Sequence, residues 1–84
     1  MYKVVWKEKV FKQLAKIDRI IAKKIKDRAK NCLAYDPLNR GEPLSHEYRG
    51  LYRYRFSDYR VVYQVKEKEL IILVVKIGRR REVY

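Results

Sequence analysis

The sequence predicts a single α+β domain, a two-layer sandwich in which two helices cover one face of an antiparallel sheet. Three observations lead to this fold class. The chain has 84 residues, which gives room for one domain, 1–84, and one modest core. Its hydrophobic residues recur first with period two, then with a helical period, and finally with period two again. The helical segments lie between the strand segments, so they can form a second layer on the sheet.

The N-terminal half predicts one strand followed by an antiparallel pair of helices. Residues 2–6 alternate, with Tyr2, Val4 and Trp6 on one face. The next apolar stripe has helical spacing and comprises Val10, Leu14, Ile17 and Ile21, broadened by Phe11 and Ala15. Asp18 is a candidate N-cap for the second helix. The apolar face of that helix comprises Ile21, Ile25, Ala29, Cys32 and Leu33, and its opposite face is rich in lysine.

The C-terminal half predicts a loop and then a three-stranded antiparallel meander that completes the same sheet. Asp36-Pro37 ends the helix, and residues 37–50 form a loop because they contain several proline and glycine breakers. The three strands are expected at 52–56, 59–66 and 69–77. Two-residue turns, Ser57-Asp58 and Glu67-Lys68, join them.

Positive charge dominates the composition and is sorted along the chain. There are 22 Lys+Arg against 10 Asp+Glu, a net charge of +12, which favours encounter with nucleic acid, an acidic membrane surface or an acidic protein. Lysines concentrate between Lys3 and Lys30, and arginines between Arg49 and Arg81. The planar guanidinium of arginine binds phosphate with two hydrogen bonds, whereas the ammonium of lysine is a hydrated point charge. We therefore expect the arginine-rich C-terminal half to make specific contacts. The lysines of the helical half are expected to be mostly exposed to solvent.

Several classes of protein do not fit the composition. No apolar run is long enough to span a bilayer, and the helical region lacks the wide apolar face of a membrane-surface helix. The single cysteine, Cys32, cannot form an internal disulfide, which predicts a cytoplasmic location. No Cys/His spacing suits zinc and no glycine-rich loop suits a nucleotide, so we expect no metal and no cofactor.

The predicted hairpin places three arginines on one face of the sheet. With a two-residue turn at Ser57-Asp58, Arg55 pairs with Arg60 and Arg53 pairs with Val62. Like charges directly opposed across strands are destabilising, so an anionic ligand would relieve them. The alternatives are that Asp58 or Glu47 neutralises them, or that the register differs.

Both sides of the last two strands are apolar, and helices can cover only one side. The uncovered side carries Val62, Ile71, Leu73 and Val75. An exposed apolar surface of this kind predicts a protein partner, and burial of the sheet on both faces is the alternative. After Gly78 the chain ends in Arg79, Arg80, Arg81, Glu82, Val83 and Tyr84, which is either a binding segment or a solvated tail.

These features together resemble the RelE/ParE toxin superfamily of toxin–antitoxin systems. The matching stretches, in the family's order, are "KEKVFKQLAKID", "GEPL", "GLYRYRFSDYRVVYQV" and "VVKIGRRREVY". Within the superfamily, the basic-x-basic strand, the Tyr-Arg opening the next strand and the closing arginine and tyrosine resemble the RelE branch. That resemblance implies a toxin that enters the ribosomal A site and cuts mRNA there. It also implies a cognate antitoxin, for which Val62, Ile71, Leu73 and Val75 are the expected contacts.

The resemblance also implies site residues. The expected catalytic set is Arg53, Arg55, Arg60, Arg80 and Tyr84, and the expected RNA-binding set is Arg53, Arg55, Arg79 and Arg81. The reaction would be attack of a ribose 2′-hydroxyl on the adjacent phosphate. The lysine-rich helices would contact rRNA.

Three departures from the family pattern bear on the chemistry. Arginine stands at both basic-strand positions where relatives often have lysine, and it cannot act as a base. Tyr84 is then the remaining candidate for proton transfer. Arg79 stands where some relatives have histidine, and the given sequence stops at Tyr84, where many relatives continue into a short helix.

The sequence is also compatible with two other functions. One is a toxin of the same fold that acts on a protein such as DNA gyrase, as in the ParE branch, against which the retained arginine and tyrosine set argues. The other is a nucleic-acid binding module without catalysis, which would show steep salt dependence and no product.

Overall fold

A computed structural model describes residues 1–79 of the chain. One sheet holds five strands, in the order β1-β5-β4-β3-β2. The strands are β1 Lys3–Trp6, β2 Glu42–Pro43, β3 Leu51–Phe56, β4 Tyr59–Lys66 and β5 Ile71–Arg79. Strands β2 to β5 pair antiparallel, and β1 pairs with β5 in parallel. The predicted α+β fold is confirmed, with β2 as an additional short edge strand.

The helical layer follows β1 directly. It consists of α1 Glu8–Ala15 and α2 Arg19–Arg28, and α2 continues into a π-helical turn, Ala29–Leu33. Asp18 caps α2 as predicted, because its carboxylate accepts hydrogen bonds from the amides of Ile20 and Ile21 at 3.1 and 3.3 Å. A side-chain oxygen at this position satisfies amides that have no partner inside the helix.

The core lies between these helices and one face of the sheet. Val10 and Leu14 of α1 and Ile25 of α2 are at most 5% exposed. They pack against buried side chains of the central strands, which are Val61, Tyr63, Ile72, Val74 and Ile77. The apolar stripes predicted for α1 and α2 are thus confirmed at their central positions.

Three details differ from the sequence prediction. Phe11 is 54% exposed, and Ala15 is exposed as well, because the helix turns about 100° per residue and only the stripe through Val10 and Leu14 meets the sheet. The third meander strand is Ile71–Arg79 rather than 69–77. The predicted loop contains a short helix α3, Pro37–Arg40, then β2 and a 3₁₀ turn, His46–Tyr48.

The opposite face of the sheet has no helix from the described residues packed on it, and we call it the open face. Successive side chains of a strand point to opposite faces, and paired residues share a face. The core side takes Tyr52, Tyr54 and Phe56 of β3, so Arg53 and Arg55 lie on the open face. Arg60 and Val62 of β4 share that face by pairing with them.

Candidate nucleic-acid interface

Three arginines meet on the open face at the hairpin of β3 and β4. Arg55 pairs directly with Arg60, and Arg53 pairs with Val62, as the predicted two-residue turn requires. Arg60 is only 6% exposed. By contrast, the side chain of Arg55 is 57% exposed and that of Arg53 is 25% exposed. The face therefore combines one largely buried cation, Arg60, with two more exposed cations, Arg53 and Arg55.

A carboxylate that sequence reasoning missed lies among these cations. Glu42 of β2 pairs with Arg53, and its carboxylate binds both neighbouring guanidiniums. Its Oε1 lies 2.8 Å from Nε of Arg55, and its Oε2 lies 3.6 Å from Nη2 of Arg53. Neutralisation by Asp58 or Glu47 was the expected alternative, and within residues 1–79 the carboxylate paired with Arg53 and Arg55 is instead Glu42.

An anion with more acceptor oxygens than a carboxylate can take the place of Glu42 in these ion pairs. The Glu42 side chain is 51% exposed, and exposed ion pairs contribute about 0–1 kcal/mol because water screens them. Arg53 Nε is buried and has no hydrogen-bond partner among the described residues. An unsatisfied buried donor costs about 1–3 kcal/mol. A phosphate has more acceptor oxygens than a carboxylate, so it can engage these donors more fully.

The position of Glu42 depends on a contact behind the sheet. The buried hydroxyl of Tyr63 donates a hydrogen bond of 2.6 Å to the carbonyl of Pro37, at the start of α3. Burial raises the pKa of the Tyr63 hydroxyl, so this donor keeps its proton at neutral pH. Gly41 packs on the same hydroxyl, and a Cβ at Gly41 would lie 2.9 Å from Tyr63 Cζ. Tyr63 and Gly41 together fix the segment that presents Glu42 to the arginines.

The basic C-terminal run begins at the same end of the sheet. Arg79 pairs with Tyr59, and its guanidinium carbon lies 6.0 Å from the centre of the Tyr59 ring. Gly78 pairs with Arg60, which brings β5 close to the arginine face. The expected site residues Arg80, Arg81 and Tyr84 lie outside the described residues. Their roles stay as predictions from the family resemblance.

The far end of the open face carries apolar residues of β5 beside the polar residues Gln64 and Lys66 of β4. Ile71, Leu73 and Val75 are partly exposed, and their contact with an antitoxin stays a prediction. Val62 is 0% exposed, so the expected contact of this residue with an antitoxin is not available in this conformation. It lies between Arg53 and Lys76 in the ladder, where long basic side chains flank it.

Within residues 1–79 no helix is long and apolar enough to cross a membrane. In the same range no three His, Cys, Asp or Glu side chains are grouped as ligands for a metal ion. Cys32 is a free, partly buried thiol on the helical layer. The described part of the site contains guanidinium groups and one carboxylate.

Comparison with known proteins identifies the family. Residues 4–84 match the family described as "ParE toxin of type II toxin-antitoxin system, parDE". The chain belongs to the RelE/ParE toxin superfamily. A putative RelE-like toxin of Escherichia coli is 31% identical over 81 residues, covering 94% of this chain and 83% of that protein. Toxin RelG of Mycobacterium tuberculosis is 27% identical over 52 residues, or 62% of this chain and 60% of RelG.

Solved structures of superfamily toxins share the fold. The archaeal RelE–RelB complex of Pyrococcus horikoshii OT3 contains a chain that is 29% identical, with a TM-score of 0.77 and 98% of both chains covered. The toxin–antitoxin complex RelBE2 of Mycobacterium tuberculosis gives a TM-score of 0.89 at 24% identity, over 94% of this chain and 98% of that chain. The protein is thus a RelE/ParE-like toxin of a type II toxin–antitoxin system.

Proposed function

We propose that this toxin cleaves mRNA in the A site of the ribosome, through attack of a ribose 2′-hydroxyl on the adjacent phosphate. The observation that carries the proposal is the pairing of Arg55 with Arg60 beside Arg53 on the open face. Fixed cations aimed at developing negative charge are commonly the largest catalytic contribution. We also propose a cognate antitoxin as partner, since relatives of known structure are toxin–antitoxin complexes.

The reaction requires two proton transfers in addition to charge stabilisation. The 2′-oxygen forms a bond to phosphorus and loses its proton to a base, while the bond from phosphorus to the 5′-oxygen breaks and that oxygen gains a proton. Arg60 and Arg55 stabilise the charge on the phosphorane, together with Arg80. Arg53, Arg79 and Arg81 hold the RNA backbone.

Glu42 is the base that the arginine set lacks. A guanidinium cannot be deprotonated, whereas a carboxylate within hydrogen-bond reach of the phosphate-binding groups can accept the hydroxyl proton. Its oxygens already lie against Arg53 and Arg55. In this mechanism Tyr84 stacks on a base or protonates the leaving oxygen. Replacement of Tyr84 by Phe separates the two roles, because stacking survives and proton transfer does not.

Primer extension on a defined mRNA, with and without translating ribosomes, tests the proposed function. We expect cuts that appear only with ribosomes and that stay in register with codons. Intact mRNA in the presence of active ribosomes would contradict the proposal.

Glu42→Gln tests the base. We expect the rate of cleavage to fall about 100-fold or more, as general-base removal does. Glu47→Gln is the matched control, because it removes the same charge from an exposed carboxylate close in sequence. Equal rates for the two variants would remove Glu42 from the mechanism.

A toxin directed at DNA gyrase is the second candidate, and the ParE description of the matched family favours it. Inhibition of supercoiling by purified gyrase, in the absence of mRNA cleavage, would establish that function. The arginine face would then contact a protein target rather than RNA.

A further inference from the structure

The end of β5 that follows Val74 has no strand of the described chain on its outer side. Strand β1 ends at Trp6, which pairs with Val74, so residues 76–79 extend beyond it. A side chain of α1 lies there instead: Oε1 of Gln13 accepts a hydrogen bond of 2.7 Å from the amide of Ile77. This bond turns the carboxamide oxygen toward β5, and the NH2 group of the same side chain can donate hydrogen bonds on its other side.

A basic groove lies between the end of α1 and this part of β5. Its volume is about 390 Å³, within the range of about 300–1,000 Å³ that is usual for small-ligand sites. Its charged side chains are Lys16, Lys76 and Arg79, and none of the described residues that line it is acidic. The arginines of the open face, in contrast, share the carboxylate of Glu42. The groove therefore attracts an anionic ligand.

Arg79 gives this groove a flat surface. The residue is exposed, and its guanidinium carbon lies over the ring of Tyr59, 6.0 Å from the ring centre. Cation–π attraction restrains the guanidinium in this position, so one of its faces is covered by the tyrosine and the other is turned away from it. Nucleobases stack on guanidinium planes as they do on aromatic rings. Arg79 therefore suits a base, while the N–H groups in its plane still bind phosphate.

Stability alone explains part of this arrangement. Lys16 follows the last turn of α1, where a positive charge interacts favourably with the helix dipole. Gln13 satisfies an amide at the edge of the sheet. Neither effect requires two further cations, Lys76 and Arg79, on the same groove.

The groove and the arginine face are neighbours across β5. Gly78 lines the groove and pairs with Arg60 of β4. Paired strands lie about 4.8 Å apart, so an RNA strand held at Arg60 has to cross little more than the width of one strand to enter the groove. A single-stranded RNA supplies both the negative charge and the flat bases that the groove fits.

We propose that this groove binds a second nucleotide of the RNA, adjacent to the one held by the open-face arginines. Its base stacks on Arg79, the NH2 group of Gln13 donates to the edge of that base, and Lys16 binds its phosphate. The inference rests on the proposed function and adds to it a binding subsite outside the arginine face. It makes Gln13 and Arg79 residues that position the substrate.

NMR of the side-chain amides tests this site directly, because the chain has two glutamines, Gln13 and Gln64. Gln64 pairs with Leu73, away from the groove, and serves as the internal reference. The probe is a trinucleotide of 2′-O-methyluridine, which the proposed reaction cannot cleave because methyl groups replace the 2′-hydroxyl protons. We expect a saturable shift of the Gln13 signal and none of the Gln64 signal. Equal shifts of both signals, or no saturable shift of Gln13 up to about 1 mM, would overturn the proposal.

Pyrophosphate separates a nucleotide site from a simple anion site. It carries negative charge without a base, so it should bind at least about tenfold more weakly than the trinucleotide, as the loss of one base stack predicts. The Gln13 signal again measures the affinity. Equal affinity for the two probes would show that no base is bound and would overturn the proposal.

Two variants, each with a matched control, test the two contacts with the base. Gln13→Glu keeps an acceptor for the Ile77 amide but replaces the donor by a negative charge, and Gln64→Glu makes the same change outside the groove. Arg79→Lys keeps the charge and loses the flat face. Its control is Arg28→Lys, because Arg28 lies over a different ring, that of Phe56.

We expect Gln13→Glu and Arg79→Lys each to weaken binding of the trinucleotide about tenfold, and the two controls to bind it as the wild type does. Fluorescence anisotropy of the labelled trinucleotide measures the affinity of each variant. Urea unfolding shows whether a loss of binding comes from a loss of fold. Wild-type affinity in either Gln13→Glu or Arg79→Lys would overturn the proposal.

Failure of this site and failure of the proposed function are distinguishable, because the trinucleotide is not cleaved and its binding needs no ribosome. A chain that cuts mRNA on ribosomes but shows no shift of Gln13 loses the groove proposal alone. A chain that binds the trinucleotide at Gln13 and leaves mRNA intact keeps the groove as an RNA site and loses the proposed activity.

Discussion

The hairpin of β3 and β4 has two faces that differ in chemistry. Successive residues of each strand point alternately to one face and the other. On the covered face, Val61 and Tyr63 are 1% and 0% exposed and pack under the helices. On the open face, Arg55 is 57% exposed and opposes Arg60. The comparison separates folding from function: the covered face supplies the burial that stabilises the domain, and the open face carries charges that burial does not require.

The largest expected effect is on the covered face, with Tyr63→Ala. This change leaves a cavity and removes the hydrogen bond to the Pro37 carbonyl. We expect the free energy of unfolding to fall by about 3–5 kcal/mol, the usual cost of truncating a buried aromatic residue. Urea denaturation followed by circular dichroism measures it. A loss below about 1 kcal/mol would show that the two faces do not divide their roles in this way.

A smaller effect is expected on the open face, with Arg60→Lys. This variant retains the charge but loses the planar fork that binds two phosphate oxygens. Ribosome-dependent cleavage should fall about 10- to 100-fold, less than the loss of a whole stabilising group. The rate of mRNA cleavage under single-turnover conditions measures it, with the urea midpoint as a control for folding. Unchanged cleavage would exclude bidentate binding by Arg60.

The smallest effect is expected for Tyr63→Phe, which sharpens the comparison. It removes only the hydroxyl that donates to Pro37, so stability should fall by about 1 kcal/mol. Because this hydroxyl also holds the segment carrying Glu42, cleavage should fall slightly more than the loss of folded protein explains. Titration in urea and the cleavage assay, performed on the same sample, separate the two contributions. Cleavage that follows the folded fraction alone would show that Glu42 does not depend on this contact.

The register of the hairpin was predictable from the sequence because local chemistry fixes it. A two-residue turn between two alternating runs leaves one pairing, which places Arg55 against Arg60. The cap of α2 was predictable for a similar reason, since Asp18 acts on amides two and three residues away. Such features depend on neighbours in the chain.

The ion pairs of Glu42 with Arg53 and Arg55 were not predictable, because long-range contacts create them. Its strand β2 is two residues long and lies in a stretch whose prolines and glycines indicate a loop. This strand pairs with β3, and the hydrogen bond from Tyr63 to the Pro37 carbonyl, 26 residues away, lies just before it in the chain. The signal available in the sequence was the absence of any base among the arginines. By elimination that absence indicated Tyr84, and nothing in the sequence singled out Glu42.

The most direct test of the division between the two faces uses adjacent residues of β3. Arg55 lies on the open face, and Phe56 packs on the core with the guanidinium of Arg28 at 5.6 Å from its ring. For Arg55→Ala we predict about 100-fold slower ribosome-dependent cleavage and a stability within about 0.5 kcal/mol of the wild type. For Phe56→Ala we predict a stability loss of about 2–4 kcal/mol and normal cleavage per folded molecule. Cleavage that is normal in Arg55→Ala and lost per folded molecule in Phe56→Ala would contradict the account.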